Sequence, residues 1–449
     1  MPRLTVGAEA VLEGASETLK GLICRRLTVA NPKYQAARRY SRWIGKKLKP
    51  ELYFFHEEGD LLCFPRGFAK QAILLCQQIT GAGPEIIDQR RRLPPLHLAF
   101  NGSLREYQEE AVAAVLKHSF GVLEAGTGSG KTVMALNIIA QRQQPTLIIV
   151  HNKELLQQWR ERIAQFLGIE AGVAGDGKLA IAPVTVAIVN TARKNLDTLP
   201  EQFGHIVVDE CHRVPASLFT DVVSSFDSYF MLGLSATAFR REDGMTPLIT
   251  TYMGDRLHAV SPHVLAASGA VVRPEYDQRP TAFKYGFQGD YAKLLKALAG
   301  NDPRNTQIAD DIAAMIRAGH EGTVLVVSDR VAHCEVLQRK LELLGVESVL
   351  LTGRVQAEQR ARIVEEVREG KVRVLISTLQ LIGEGFDCPG LTTLVLSTPI
   401  KFEGRLLQVV GRIMRPSASK QARVIDYLDQ QVPVLRRSAA ARLEVFSRW

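Results

Sequence analysis

The 449-residue sequence predicts an α/β fold, with two tandem parallel-sheet lobes behind a small N-terminal α+β domain. From Leu104 onward, short β-rich apolar runs alternate with amphipathic stretches, which is typical of βαβ units. This rhythm loosens from about 255 to 300 and then restarts, which indicates a second sheet. The predicted parts are an N-terminal domain (1–100), a first lobe (101–258), a connector (259–300), a second lobe (301–430) and a tail (431–449).

The first hundred residues follow a different pattern. "LICRRLTVANP" predicts a strand, and "ELYFFHEEGDLLCFPRG" predicts a hairpin that turns at Gly59-Asp60. "FAKQAILLCQQIT" has helical spacing, and "RRRLPPL" is typical of a linker. These elements predict a separate small domain in front of the two lobes.

Apolar runs mark the strands of both lobes. The first lobe has "GVLEA", "TLIIVH", "VTVAIVN", "HIVVDE" and "YFMLGLSAT", and the second has "GTVLVVSD", "SVLLTG", "RVLIST", "TLVLSTP" and "ARVIDYL". Each run ends in polar or small residues. Ligands of parallel sheets gather at that carboxyl edge, so we expect the functional residues there.

Composition limits the class of protein. Hydrophobic residues make up 46% and charged residues 23%, as in a globular protein. No apolar run approaches the ~20 residues of a spanning helix, and no signal-peptide core follows Met1, so we expect a cytoplasmic location in a bacterium, an archaeon or a phage-infected cell and no membrane partner. The six cysteines form no CxxC pair, which argues against zinc fingers and disulfides.

The net charge of +9 is unevenly distributed along the chain. Residues 1–100 carry +7, residues 401–449 carry +6, and the middle carries −4. Basic ends around a mildly acidic middle indicate a polyanionic partner.

The strongest motif is "GVLEAGTGSGKT", in which a strand leads into a Gly-rich loop and a helix. Backbone N–H groups of such a loop close around phosphate oxygens, and the helix N-terminus favours the negative charge. Lys131 is expected to bind the β- and γ-phosphates of ATP and Thr132 to ligate Mg2+, although Ala125 stands where the strict pattern has glycine. The expected phosphate-binding residues are Gly126, Thr127, Gly128, Ser129, Gly130, Lys131 and Thr132.

A second phosphate element, "HIVVDECHRVP", ends a strand with two carboxylates. Asp209 lies 78 residues after Lys131. Asp209 is expected to hold Mg2+, and Glu210 to polarise the attacking water. Because adjacent residues of a strand point to opposite faces, the two roles would separate naturally.

These two elements together resemble the DExH-box branch of the superfamily two helicases, and the resemblance implies two RecA-like lobes. "LREYQ" matches the family's adenine-reading element, with Arg105 and Gln108 as base contacts. His212, Ser235 and Thr237 match the residues that couple hydrolysis to the grip on nucleic acid. The same resemblance identifies the chain as an ATP-hydrolysing enzyme that uses Mg2+.

The resemblance extends into the second lobe. "STLQLIGEGFDCPG" implies that Gly385 and Asp387 face the nucleotide. "QVVGRIMRP" implies that Gln408 contacts the γ-phosphate, with Arg412 and Arg415 as candidate arginine fingers. Thr352 and Thr378 are further expected DNA contacts.

The triplet Arg241-Glu242-Asp243, soon after "SAT", resembles the XPB-type repair helicases and their archaeal and phage relatives, in which it lies beside the DNA fork. A charged loop without that role is the alternative. Only about 80 residues separate Asp243 from "TVLVVSD", which is short for the thumb-like insertion of the XPB-type proteins. The compact form is more similar to the phage branch-migrating helicases.

The stretch "NPKYQAARRYSRWIGKKLKP" is basic and contains no acid. A helix there would present cations to phosphates and an aromatic ring to an unpaired base. The alternative is a solvated helix face with Trp43 in the domain core. The small N-terminal α+β domain is therefore expected to bind nucleic acid. The expected DNA contacts in this stretch are Arg38, Arg39, Arg42, Trp43, Lys46 and Lys47.

The tail "LRRSAAARLEVFSRW" predicts a basic amphipathic helix that ends in Trp449, either a strand contact or a docking element for a partner.

We therefore predict an ATP-dependent DNA helicase or translocase that acts on forked or branched DNA in repair, recombination or replication. By resemblance its polarity is 3′ to 5′. The alternatives are an RNA helicase and a nucleic-acid-stimulated ATPase that remodels a complex without unwinding. A monomer is expected, with a nuclease or another repair or replication protein as a further partner.

Overall fold

The computed structural model describes residues 1–39, 43–45, 48–212, 216–236, 244–383, 390–416 and 420–447. The chain divides into two compact units. The first comprises Met1–Ala125 and Gly130–Val260, and the second comprises Ser261–Trp449 together with Gly126–Ser129. Among the described residues, no helix is long and apolar enough to cross a membrane.

The first unit begins with a small α+β domain. Its elements are β1 (Arg3–Val6), β2 (Glu9–Glu13), α1 (Glu17–Arg26), β3 (Thr28–Ala30), α2 (Pro32–Arg39), β4 (Glu51–Tyr53), β5 (His56–Glu58), β6 (Leu61–Pro65), α3 (Ala69–Thr80) and β7 (Glu85–Asp88). One sheet has the order β5-β6-β2-β1-β7, and β3 pairs with β4. The predicted hairpin is confirmed, because β5 and β6 are antiparallel across a turn in which Gly59 has φ 62°.

The prediction of a strand at "LICRRLTVANP" is wrong for its first half. That half ends helix α1, and only Thr28–Ala30 form a strand. The Ser16 hydroxyl caps α1 by accepting a hydrogen bond from Leu19 N (3.4 Å). Leu19 and Ile23, four residues apart, are fully buried, so packing of one helix face outweighs the local β-rich composition.

The remainder of the first unit is built on a larger sheet. Its elements are α4 (Glu106–Leu116), β8 (Phe120–Ala125), α5 (Lys131–Arg142), β9 (Thr146–Val150), α6 (Lys153–Leu167), β10 (Gly172–Gly175), β11 (Lys178–Ala180), β12 (Val184–Ile188), α7 (Val189–Lys194), β13 (His205–Val208), α8 (Ala216–Ser224), β14 (Phe230–Ser235), α9 (Pro247–Met253) and β15 (Arg256–Val260). The strand order is β11-β10-β12-β9-β13-β14-β8-β15, parallel except for β11. Strands β9 and β13 are buried at every position, as their continuous apolar runs predicted.

The small domain is packed tightly on this sheet. A methyl group at Gly67 would lie 2.6 Å from both Gly254 N and Thr251 O, so only glycine fits there. Arg66 is almost completely buried and donates a hydrogen bond to Ser228 O (2.8 Å). Burial lowers the pKa of Arg66 to about 9. These contacts make the small domain part of the first unit.

The second unit contains its own parallel sheet. Its elements are α10 (Pro262–Ala267), β16 (Glu275–Pro280), α11 (Tyr291–Ala299), α12 (Asp302–Arg317), β17 (Thr323–Ser328), α13 (Val331–Leu343), β18 (Val349–Leu351), α14 (Ala357–Arg368), β19 (Val374–Thr378), α15 (Leu379–Gly383), β20 (Leu391–Leu396), α16 (Glu403–Val410), β21 (Arg423–Leu428) and α17 (Pro433–Phe446). The order is β16-β21-β20-β17-β19-β18. With two parallel sheets in succession, the predicted fold class is confirmed.

Two stretches that the sequence placed outside the second lobe are integrated into it. Strand β16, within the predicted connector, pairs with β21 from Glu275 to Pro280. Helix α17, in the predicted tail, sends Arg442 inward to Asp426 (2.8 Å), and both side chains are almost fully buried. A buried ion pair of this kind ties the tail helix to the sheet, while Trp449 lies outside the described residues.

A buried histidine lies in the core of the second unit. His333 Nδ1 is 2.9 Å from Ser328 Oγ, and Nε2 is 2.9 Å from Asn305 Oδ1. Because the amide oxygen only accepts, Nε2 carries the proton and Nδ1 accepts from the serine hydroxyl. Burial, aided by the charge of Arg304, lowers the pKa of His333 to about 3.

We predict that acid destabilises the second unit through His333. The folded protein keeps this histidine neutral, whereas the unfolded chain binds a proton below its ordinary pKa of 6.5. The stability that the neutral His333 contributes is therefore fully present above about pH 6.5. It is lost towards pH 3, at about 1.4 kcal/mol of unfolding free energy per pH unit. Between pH 6.5 and pH 4, the free energy of unfolding of this unit should fall by about 3 kcal/mol less in His333→Gln than in the wild type.

Amide hydrogen exchange in peptides from β17 and β19, followed across this pH range, reports the free energy of opening of this unit alone. His263→Gln, an exposed histidine on α10, is the matched control and should leave the slope unchanged. Equal slopes for wild type and His333→Gln would contradict the prediction.

Candidate active site

Three chain segments follow the carboxyl ends of three strands in the large sheet of the first unit. Strands β13, β14 and β8 are parallel neighbours, so their carboxyl ends lie together. Gly126–Thr132 follow β8, Asp209 and Glu210 follow β13, and Ser235 ends β14. The topology therefore brings the two phosphate elements and the "SAT" motif to one place, as the sequence predicted.

The loop after β8 has the backbone that a phosphate-binding loop requires. Gly128 and Gly130 have φ of 87° and 77°, in the left-handed region that glycine adopts at least cost. Helix α5 begins at Lys131, so its N-terminus faces the loop. Added bulk at Gly130 would collide with Gln108 Nε2, which places the predicted adenine-reading glutamine against this loop.

Gln108 is buried and fixed from its own helix. Its Oε1 accepts a hydrogen bond from Arg105 N (3.0 Å), which caps α4. Arg105 lies at the helix N-cap, and its side chain is exposed. The structure thus positions both expected base contacts at the start of α4.

Lys131 connects the two phosphate elements. Its Nζ donates a hydrogen bond to Ala125 O (3.0 Å) and lies 3.8 Å from Glu210 Oε1. The lysine side chain is 12% exposed and the glutamate side chain 16%. The ammonium group is therefore held between the loop and the carboxylate, where a terminal phosphate would carry its charge.

Asp209 is buried and rigidly oriented. Its Oδ2 accepts a hydrogen bond from Trp159 Nε1 (2.8 Å), and its Oδ1 accepts one from Glu210 N (2.9 Å). Burial, and then the charge of Glu210, raises the pKa of Asp209 to about 6. A nearby divalent cation would favour the ionised form of this carboxyl group.

Backbone conformation, and not the predicted alternation of side chains along a strand, separates the carboxylates of Asp209 and Glu210. Strand β13 ends at Val208, so neither carboxylate lies on the strand. Glu210 instead has φ 46°, a left-handed conformation that costs a non-glycine residue of order 1–3 kcal/mol. This turn directs the Glu210 carboxylate to Lys131 on one side and to His212 on the other.

His212 extends this contact to the end of β14. Its Nδ1 lies 3.3 Å from Glu210 Oε2 and 2.7 Å from Ser235 Oγ. Both His212 and Ser235 are buried. We call the continuous path Lys131–Glu210–His212–Ser235 the polar relay.

These residues fit ATP with Mg2+. A carboxylate, Asp209, and a hydroxyl, Thr132 in the first turn of α5, supply the oxygen ligands that Mg2+ prefers. Among the described residues, no group of three or more His, Cys, Asp or Glu side chains could hold a metal alone.

In the second unit, Gln408 lies on α16 and is buried. Arg412 and Arg415 follow that helix and are half-buried, with Arg412 N donating to Val409 O (3.1 Å). Thr352 follows β18 and Thr378 ends β19, and these strands are neighbours. Gln408, Arg412 and Arg415 therefore lie on or directly after one helix, and Thr352 and Thr378 lie at the ends of two neighbouring strands.

Several predicted residues lie outside the described residues: Arg42, Lys46, Lys47, Thr237, Arg241, Glu242, Asp243, Gly385 and Asp387. Arg39 ends α2, but its side chain is not described. Arg38 is exposed on α2, and Trp43 is 90% exposed. The alternative that places Trp43 in the domain core is therefore wrong.

Sequence reasoning missed Trp159. The residue is one of the buried positions of the amphipathic helix α6, a pattern that predicts only a core side chain. Its indole N–H reaches Asp209 because α6 packs beside β9, the neighbour of β13. A pattern of apolar spacing does not reveal which buried tryptophan has a carboxylate partner.

Two family models match the chain. The model described as "Type III restriction enzyme, res subunit" matches residues 101–240, and the "Helicase conserved C-terminal domain" matches residues 307–417. The first match contains the polar relay, and the second contains Gln408, Arg412 and Arg415.

The chain is similar to known helicases over most of its length. The DNA 3'-5' translocase XPB2 of Sulfurisphaera tokodaii is 26% identical over 375 residues, which cover 76% of this chain and 84% of that protein. The probable helicase D10 of Escherichia phage T5 is 25% identical over 334 residues, which cover 72% of this chain and 71% of that protein.

A solved structure shows the same fold. Dbp5 of S. cerevisiae, bound to RNA and ADP BeF3, aligns with a TM-score of 0.56 at 16% identity and covers 77% of this chain and 88% of its own. At that identity the likeness concerns the fold alone.

We predict that Trp159→Phe lowers the apparent affinity for Mg2+ in ATP hydrolysis. The substitution keeps the ring in the core but removes the hydrogen bond that orients Asp209, and loss of such an outer-shell partner typically costs 10- to 100-fold, as an order of magnitude. The Mg2+ concentration for half-maximal ATP hydrolysis should rise by about that factor.

Phe166→Leu, on the same helix but stacked on Phe100, is the matched control. Its Mg2+ dependence should equal that of the wild type. An unchanged Mg2+ dependence in Trp159→Phe would show that the indole does not support the site.

Proposed function

Because the chain belongs to the superfamily two helicases, in the group with XPB-type and phage helicases, and is an ATP-dependent helicase, we propose that it translocates along DNA and acts at forks or branches. The proposal includes the DExH-box mode of hydrolysis. The observation that carries it is the polar relay, which links the phosphate loop to the strand end that leads into "SAT".

In this proposal, four side chains of the first unit carry out hydrolysis. Lys131 binds the terminal phosphates, and its ammonium group offsets their charge. Mg2+, when bound with ATP, would be held by Thr132 and Asp209 and would neutralise phosphate charge. The Glu210 carboxylate, held by Lys131 and His212, orients the attacking water.

The relay provides the coupling to nucleic acid. Ser235 ends β14 and is followed by the segment that contains Thr237 and the Arg241-Glu242-Asp243 triplet. A strand held by that segment shifts Ser235, and the short contacts through His212 transmit the shift to Glu210. Nucleic acid thereby accelerates hydrolysis by aligning the water-orienting carboxylate.

The second unit contributes the remaining nucleotide contacts. Gln408, Arg412 and Arg415 act on the γ-phosphate, with the arginines as fingers that stabilise the transition-state charge. Gly385 and Asp387 face the nucleotide, and Thr352 and Thr378 contact the DNA backbone. These roles rest on the family resemblance of the motifs that contain them.

DNA is proposed over RNA for two reasons. The XPB2 relative is named as a DNA 3'-5' translocase, and the Arg-Glu-Asp triplet resembles that of the XPB-type enzymes. We propose 3′ to 5′ polarity on the same grounds.

We predict that ATP hydrolysis is stimulated most by a fork or a four-way junction. Hydrolysis is to be measured alone and with single-stranded DNA, blunt duplex, fork, four-way junction and RNA. Lys131→Ala removes a charge contact to the transition state and should lower turnover at least about 100-fold, which defines the blank.

Lys178→Ala, an exposed lysine on edge strand β11, is the matched control and should hydrolyse ATP like the wild type. Equal or stronger stimulation by RNA would contradict the DNA proposal. Stimulation by a fork without strand displacement would instead favour remodelling without unwinding.

A further inference from the structure

The segment between the small domain and helix α4 is held in place at both ends. Residues 93–98 form neither helix nor strand, as expected of the predicted linker. Leu93 nevertheless pairs through both its N–H and its C=O with the side-chain amide of Gln144, at 2.8 and 2.9 Å. Leu98 pairs in the same way with the side-chain amide of Gln143, at 2.9 and 2.8 Å. We call residues 93–98 the strap.

The two glutamines that hold the strap are themselves fixed. They follow helix α5 directly, and Gln144 is buried. A methyl group at Gly204 would collide with Gln144 Oε1, so this amide lies against the backbone that leads into β13. Gln143 adds a further bond, because its backbone C=O accepts from Leu96 N (2.7 Å). An amide that donates to and accepts from one backbone residue fixes both the position and the direction of that residue.

Arg142, the last residue of α5, binds the far end of α4. Its guanidinium group donates to His118 O (2.9 Å), just beyond that helix, and lies 2.9 Å from His205 Nε2. Arg142 and His205 are both buried. Burial, and then the charge of Arg142, lowers the pKa of His205, so the imidazole is neutral and accepts the hydrogen bond. Three consecutive residues, 142–144, therefore hold both the strap and the end of α4.

The opposite end of α5 adjoins the phosphate loop. The helix runs from Lys131 to Arg142, which is about 18 Å at 1.5 Å per residue. Its side chains Leu136 and Ile139 are fully buried, so the helix cannot tilt without disturbing a close-packed core. The phosphate loop and the two glutamines therefore lie at a fixed separation.

The strap leads into the predicted base contacts. Residues 99–104 separate it from Arg105, and Gln108 lies in the first turn of α4. Gln108 also lies against the phosphate loop at Gly130. The predicted base contacts are thus located between the loop at one end of α5 and the glutamines at its other end.

We propose that Gln143 and Gln144 are positioning residues for selection of the nucleotide base. They act through Arg105 and Gln108, because the strap sets the position of the start of α4 while the phosphates lie in the loop. The phosphates do not report on the strap, since every nucleoside triphosphate carries the same ones. This inference rests on the proposed function, in which the chain hydrolyses ATP, and it names residues that select the adenine base.

The test compares hydrolysis of ATP and GTP by the double variant Gln143→Met/Gln144→Met. Methionine keeps an unbranched side chain of similar length but removes both amides. Displacement of a binding group by about 1 Å costs up to about 100-fold, so kcat/KM for ATP should fall by about 10- to 100-fold, whereas kcat/KM for GTP should stay within about twofold. The loss should appear in KM and not in kcat, because contacts to the base are the same in the ground state and the transition state.

Two further measurements separate positioning from general damage to the fold. Inhibition by inorganic tripolyphosphate, which has no base, should be the same in the double variant and the wild type. Amide hydrogen exchange should become faster in peptides that span the strap and should stay unchanged in β8.

Gln141→Met is the matched control. Gln141 is exposed on the same helix and donates to Asn137 Oδ1 (2.6 Å), so this variant should equal the wild type in every measurement. Gln143→Met alone releases only Leu98 and should show the changes of the double variant to a smaller extent. The single variant therefore serves the test even where the double variant is poorly folded.

An unchanged preference for ATP over GTP, or an equal fall for both nucleotides, would overturn the positioning role. Weaker inhibition by tripolyphosphate would also overturn it, because the phosphate loop would then be affected. Fork-stimulated hydrolysis together with an unaltered preference in the double variant would overturn this inference alone. Hydrolysis that no DNA stimulates would overturn the proposed function, while a loss of ATP preference in the double variant would still support the role of the two glutamines.

Discussion

The left-handed turn at Glu210 is the constraint on which the site depends. Because β13, β14 and β8 are parallel neighbours, three loops emerge at one edge, but adjacency alone does not connect them. The φ of 46° at Glu210 places its carboxylate 3.8 Å from Lys131 Nζ and 3.3 Å from His212 Nδ1. One strained residue thereby joins the phosphate loop to the end of β14.

The electrostatics of the edge follow from that turn. Two adjacent carboxylates lie in a largely buried site with a single lysine beside them, so ionisation of Asp209 is disfavoured and its pKa rises to about 6. The indole N–H of Trp159 opposes this rise by donating to the ionised form. A site that holds excess negative charge in this way favours a bound cation, which is the basis for placing Mg2+ at Asp209 in the proposed function.

The strands could be predicted from the sequence because short continuous apolar runs such as Thr146–Val150, alternating with helical patterns, are typical of buried parallel strands. The sequence also predicted that the motifs lie at one edge of the sheet, because parallel strands share their carboxyl edge, whereas the strand order that makes β13, β14 and β8 neighbours was not predicted. Contacts made across long sequence distances were missed: Trp159 on Asp209, and Gly67 on the backbone of Thr251 and Gly254. Helix α1 was missed because its buried pair Leu19 and Ile23 outweighs a locally β-rich composition.

We propose that His212 and Ser235 act as one unit between hydrolysis and nucleic acid. The decisive measurement is a double-mutant cycle of His212→Ala and Ser235→Ala, with the ratio of fork-stimulated to basal ATP turnover as the readout. Through the 2.7 Å contact, each single variant should lower this ratio several-fold, and the double variant should lower it little further. If the two effects instead multiply, the residues act independently, and the polar relay is not the route of coupling.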